Sequence, residues 1–168
     1  MPIIRNSRLR NSQRSRRMNY DSRKETKEHI QAVDSLVQVL CSELLERGKN
    51  HDATKLLEPE KSVFDEFTPK LKDSTYGSDE YKGYLAEMQV ALEHHYGNNR
   101  HHPEHFANGI QGMNLIDLCE MIADWKVATQ RHTDGDILKS IDINQKRFGY
   151  SDELKQILIN TVALLDGE

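Results

Sequence analysis

The sequence predicts an all-α fold: a single helical bundle of about six to seven helices. Three observations carry this expectation. Apolar residues recur every three or four positions along most of the 168-residue chain, the spacing of a helix with one buried face. Capping signals open these segments and glycines close them. No run alternates apolar and polar residues with the period of two that a half-buried strand requires.

The elements follow in order. "SRKE" (Ser22 to Glu25) is a capping box for a first long helix, with Ile30, Val33, Leu36, Val37, Leu40 and Leu44 on one stripe and Gly48 at its end. A short helix is expected from about Asp52 to Leu57. Pro59 opens a further piece carrying Val63, Phe64 and Phe67. "DSTYGSDE" is turn chemistry, after which Ser78 caps a helix with Tyr81, Leu85, Met88, Leu92 and His95 on one face, stopped at Gly97. Residues 97–113 form a loop rich in His, Asn, Gly and Pro. Asn114, with Asp117 three positions on, caps a helix bearing Leu118, Met121, Ile122, Trp125 and Ala128. Asp136 starts the next, with Ile137, Ile141 and Phe148, closed by Gly149. Ser151 caps the last, with Leu154, Ile157, Leu158, Thr161, Val162 and Leu165.

Composition narrows the class. The chain is 36% hydrophobic and 30% charged, which suits one core with a wet surface. No run of about 18 apolar residues is present, so no membrane span is expected, and no apolar stretch follows the basic N-terminus as a secretory signal would. Cys41 and Cys119 lie in helical patterns without CxxC spacing; they read as buried thiols of a reducing compartment, so a cytoplasmic protein is expected. The net charge of −4 hides a split. Residues 1–24 hold eight basic residues and one acid, +7; the other 144 hold 15 basic and 26 acidic residues, −11. Residues 1–21 therefore read as an Arg-rich disordered tail and 22–168 as the helical domain. The tail is a dispensable extension or an arm for nucleic-acid phosphates, with Met18 as an alternative start. The acidic body argues against nucleic acid as the main ligand. Oligomeric state is left open.

The eight histidines are the chemical signal. Five fall between 94 and 105 in "HHYGNNRHHPEH"; the others are His29, His51 and His132. Neutral imidazole is the commonest transition-metal ligand near pH 7. His29 lies at the edge of the first helix's apolar stripe, either a polar residue near a helix start or an inward ligand. His51 and Asp52 are adjacent at a helix start, where Asp52 serves either as an N-terminal cap or as a ligand. His95 shares an apolar face, as a core histidine or a ligand, and His94 beside it reaches the same pocket from the helix end. Asp124, in "EMIADWKVA", sits on a largely apolar helix, where a half-buried carboxylate needs a cation, a metal or several donors; a solvated acidic stripe with Asp117 and Glu120 is the alternative.

Taken in order, His29, His51-Asp52 and Asp124 resemble the H…HD…D signature of the HD-domain metal-dependent phosphohydrolases, over roughly residues 22–131. The resemblance implies an HD-like bundle with a metal site at its centre, built as helical bundles build such sites, from several facing helices. It implies a divalent transition metal (Mn, Fe, Co, Ni or Zn), as one or two ions, held by His29, His51, Asp52, His94, His95 and Asp124, with His101 and His102 as further candidates in the histidine-rich loop. Asp52 and Lys55 become the catalytic pair, Asp52 as a bridge between ions and Lys55, in HD-x-x-K, approaching the substrate phosphate. Lys55 and Arg100 are candidates for clamping phosphate charge, and Asp117 or Glu120 for orienting a ligand histidine. The implied reaction is hydrolysis of a nucleotide or other small phosphoester. The 22-residue step from His29 to His51 is short for the family, and the HD pair follows a polar "ERGKN" loop. "NRHHPEHFANGIQGM" more nearly resembles a small group of bacterial and phage proteins sharing the HHPEH and EMxxDW segments, for which the substrate stays open. Two other readings remain: an HD-like di-iron oxygenase, and a non-enzymatic helical binding module of phage or mobile-element origin.

Overall fold

The computed structural model describes residues 20–75, 77–131 and 135–167. The expectations for the tail up to residue 19 and for His132 lie outside the described residues. Seven α-helices are present among the described residues, and no strand. The described residues divide into two compact units, one up to Val37 and one from Gln38 on.

The N-terminal unit contains the start of α1 (Arg23–Asn50), immediately after Ser22 as the capping box predicts. The apolar stripe expected to be buried is not. No residue of α1 is buried, and Ile30, Val33, Leu36 and Val37 are exposed. Amphipathic spacing specifies a helix but not what covers its apolar face.

In the second unit, the rest of α1 is followed by a 3-10 turn at Ala53–Leu56, then α2 (Glu60–Asp73), α3 (Asp79–Glu87), α4 (Gln89–Asn98), 3-10 turns at Pro103–His105 and Gly109–Gly112, α5 (Leu115–Thr129), α6 (Ile137–Phe148) and α7 (Asp152–Asp166). The predicted caps form. Ser78 and Ser151 accept from Tyr81 N and Leu154 N, Asp136 accepts from Leu138 N and Lys139 N, and Asn114 with Asp117 makes a complete capping box. Gly149 ends α6 at φ 66°, a left-handed conformation glycine adopts without cost. The helix expected from Ser78 to Gly97 is instead two, parted at Met88.

The core joins α5, α6 and α7 through Met121, Ile122, Ile137, Ile141, Tyr150, Leu158 and Val162. These are mostly the predicted stripes; Ile157 and Leu165, on the same predicted stripe of α7, are exposed. The Tyr150 hydroxyl donates to Ile141 O at 2.6 Å. A second packing centre lies where α2 meets α4 and the turn at 53–56, with Phe67, Met88 and Ala91 buried. Both cysteines are exposed rather than buried. Cys119 lies between Leu118 and Glu120, and the roughly 100° step between neighbours turns it away from the buried face of Asp117, Glu120 and Met121. No described helix is long and apolar enough to cross a membrane.

Candidate metal centre

The polar cluster lies wholly within the second unit and is assembled from four short stretches. α1 ends at Asn50, and His51 and Asp52 turn the chain into the 3-10 turn. Asp52 is a non-glycine residue in the left-handed region, at φ 57°. Its side chain caps no backbone N–H, so the capping alternative does not describe what this carboxylate does. It faces histidines: Oδ1 is 3.1 Å from His95 Nε2 and 3.4 Å from His101 Nε2, and Oδ2 is 3.5 Å from His51 Nε2. Lys55 Nζ donates to Oδ2 at 2.6 Å. α4 supplies His95, fully buried on its last turn. The following loop supplies His101 and His102. α5 supplies Asp117, Glu120 and Asp124, whose spacing of three and four residues puts them on one face.

Two sets of side chains converge closely enough to hold an ion: Asp52, His95, His101 and His102, and His51, His101 and Asp124, with ligand atoms within 4.8 Å of one another in each. Behind them stand two buried carboxylates, each serving two histidines. Glu120 Oε1 lies 2.9 Å from His51 Nδ1 and 3.1 Å from His101 Nδ1. Glu60 lies 2.7 Å from His94 Nδ1 through Oε1 and 2.8 Å from His95 Nδ1 through Oε2, where Thr54 Oγ1 also donates at 2.9 Å. A carboxylate on Nδ1 fixes a ring's tautomer and orientation and leaves Nε2 as the donor to a metal. Asp117, fully buried, accepts from Arg47 and takes both Nε and Nη2 of Arg100, while Arg47 also pairs with Glu120 Oε2 at 2.5 Å.

The donors fit a cation. His95 Nε2 and His102 Nε2 are 3.0 Å apart, a spacing held in the chain alone by one shared proton. Asp52 Oδ1 is buried between the Nε2 atoms of His95, at 3.1 Å, and His101, at 3.4 Å, a convergence of donor atoms that a cation would complete. With every imidazole neutral, as metal ligation requires, Asp52, Glu60, Asp117, Glu120 and Asp124 carry two more negative charges than Arg47, Lys55 and Arg100 carry positive ones; in the metal-free chain His51 offsets one of them. The electrostatics follow. Contacts with Asp124 and then Glu120 raise His51 to about 10. Against the upward push of burial, contacts with His101, His95 and Lys55 hold Asp52 far below the usual carboxylate range. Burial, then the neighbouring His101 and His95, lowers His102 to about 3, so this ring is neutral. Against burial, His101 and His51 bring Glu120 to about 2.

Of the residues expected from sequence, the structure gathers His51, Asp52, His95, His101, His102 and Asp124. His94 differs from expectation: it is exposed, binds Glu60 through Nδ1 and belongs to neither set. The step of about 100° from His95 turns it aside. His29 is exposed on α1 in the N-terminal unit and belongs to neither set. Lys55 sits on Asp52 and Arg100 on Asp117. Glu120 orients histidines as anticipated, whereas Asp117 holds arginines. Glu60, Arg47 and Thr54 join the cluster without a signal in the sequence. An acid opening a helix reads from sequence as a dipole partner, and nothing local distinguishes Glu60 from that role.

No curated protein and no solved structure was found to match the chain. Residues 18–164, which include every residue of the cluster, match the model of a family of unknown function, DUF5662, and the chain belongs to that family.

Proposed function

We propose that the chain is a divalent-metal-dependent phosphohydrolase of the HD type, acting on a nucleotide or other small phosphoester in the cytoplasm. The observation that carries the reading is the buried convergence of Asp52 Oδ1 and His101 Nε2 with the facing Nε2 atoms of His95 and His102. Imidazole and carboxylate donors without a thiolate suit Mn²⁺, Fe²⁺, Co²⁺, Ni²⁺ or Zn²⁺. Asp52, His95, His101 and His102 would hold the ion, with His51 and Asp124 adjoining. A divalent ion supplies Lewis acidity towards a phosphoryl oxygen and brings the pKa of water down to about 7.

The protein's own groups do the rest. Glu60 and Glu120 fix the rings that face the ion. Lys55 and Arg100 are partly exposed cations at the cluster, suited to phosphate oxygens. Arg100 spends two of its three nitrogens on Asp117 and keeps the third for an anion. The HD pair and Asp124 support phosphoester chemistry over a purely structural ion, because both sit partly exposed at the cluster's edge, where substrate arrives.

The test is elemental analysis of untagged protein, followed by a screen of nucleotides and small phosphoesters with Mn²⁺ or Co²⁺. Bound metal and hydrolysis that disappears in Asp52→Asn are expected. Bound metal without hydrolysis, together with iron-dependent oxygen consumption, would favour the oxygenase reading. A protein free of metal would leave the binding-module reading.

A further inference from the structure

We propose that Lys55 occupies, on Asp52, the place a second metal ion would take, so that this chain holds one divalent ion with Lys55 as its built-in monovalent neighbour. The proposal rests on the metal reading above and concerns how many ions the centre accepts.

The two donor sets overlap at His101. His101 Nδ1 lies 3.1 Å from Glu120 Oε1, which leaves Nε2 as its only free donor, and one ring nitrogen coordinates one ion. An ion held by Asp52, His95, His101 and His102 therefore leaves the other set with His51 and Asp124 alone. The next oxygen near His51 Nε2 is Asp52 Oδ2, at 3.5 Å. That oxygen already carries the Lys55 ammonium at 2.6 Å.

The ammonium is held there by construction. The 3-10 turn that starts at Ala53 brings Lys55, three residues after Asp52, back over the carboxylate. The Phe64 ring lies 4.9 Å from Nζ and stabilises a cation through its π face. Charge balance agrees. With Lys55 in place and every imidazole neutral, the cluster lacks two positive charges, which one divalent ion supplies. A second ion beside Lys55 would leave a net excess of two positive charges in a partly buried site, where repulsion is weakly screened. Neutralising Lys55 frees Asp52 Oδ2 and restores a three-donor second position of His51, Asp52 and Asp124.

The experiment titrates the full chain with Mn²⁺ alone and counts bound ions by equilibrium dialysis with elemental analysis, alongside electron paramagnetic resonance. Wild type and Lys55→Arg are expected to bind one ion per chain, with the spectrum of an isolated Mn²⁺. Lys55→Ala is expected to bind two, with the exchange-coupled spectrum of a Mn²⁺ pair. Circular dichroism checks helix content, and Lys55→Gln is a second neutral variant should Lys55→Ala fold poorly. Two ions in the wild type, or one ion in both neutral variants, would overturn the proposal. No ion in any form would overturn the metal reading itself, and this proposal with it.

Discussion

Glu120 Oε1 lies 2.9 Å from His51 Nδ1, and the same oxygen reaches His101 Nδ1 at 3.1 Å. One carboxylate thus aims two rings, from α5, at the cluster between them. Arg47 on Glu120 Oε2 keeps that carboxylate charged and in place. Glu120→Gln is therefore expected to weaken Mn²⁺ binding about 10- to 100-fold while helix content stays unchanged. Isothermal titration of the two proteins measures it. Equal affinities would mean that the histidines are aimed by packing alone.

The neighbouring histidines 94 and 95 separate by role. His102 Nε2 meets His95 Nε2 at 3.0 Å, whereas His94 touches the cluster only through Glu60. His102→Ala is expected to lower bound metal at least tenfold, and His94→Ala to leave stoichiometry unchanged with at most a severalfold loss of affinity. Metal analysis after dialysis against a weak chelator distinguishes the two. A larger loss from His94→Ala than from His102→Ala would invert the assignment.

Asp52 combines a ligand position with a left-handed backbone at φ 57°. Asn tolerates that region through its short polar side chain, while Ala pays the full Cβ clash of about 1–2 kcal/mol. Both substitutions remove the charge. In metal-free protein, Asp52→Ala is expected to be less stable than Asp52→Asn by about 1 kcal/mol in urea unfolding. Identical midpoints would show that the turn relaxes to an ordinary conformation once the carboxylate is gone.

The difference between what the sequence revealed and what it hid is physical. Caps are local: Ser78, Asn114, Asp136 and Ser151 each bond to a backbone N–H two or three residues on, so they are legible in a few letters. The core stripes of α5 to α7 are legible because period 3.6 marks one face. What covers a stripe is non-local, which is why α1 carries the pattern and buries none of it. The site divides the same way. His51, Asp52 and Asp124 stand in the order of the H…HD…D signature, whose first member, His29, belongs to neither set, and the choice among His94, His95, His101 and His102 depends on where α4 ends and which ring turns inward. Glu60 is the clearest omission. It is fully buried, and its role comes from His94 and His95, 34 and 35 residues away.

Tyr150 gives a test of the core that is independent of metal. Its ring is buried, its hydroxyl donates to Ile141 O, and burial, with a smaller contribution from Asp142, raises the phenol to about 12. Below pH about 10 the phenol is protonated in both folded and unfolded chains, so the contribution is fully present. Between about 10 and 12 the unfolded chain releases this proton and the folded chain does not, so stability falls as pH rises. At about 1.4 kcal/mol per pH unit, the loss approaches 2–3 kcal/mol by pH 12. Tyr150→Phe is expected to cost about 1–2 kcal/mol at pH 7, through the lost hydrogen bond and the carbonyl left without it, and to show a shallower decline above pH 10. Urea unfolding of both proteins from pH 7 to 11.5 measures the two slopes. Parallel curves would mean that the Tyr150 phenol ionises as readily in the folded chain as in the unfolded one.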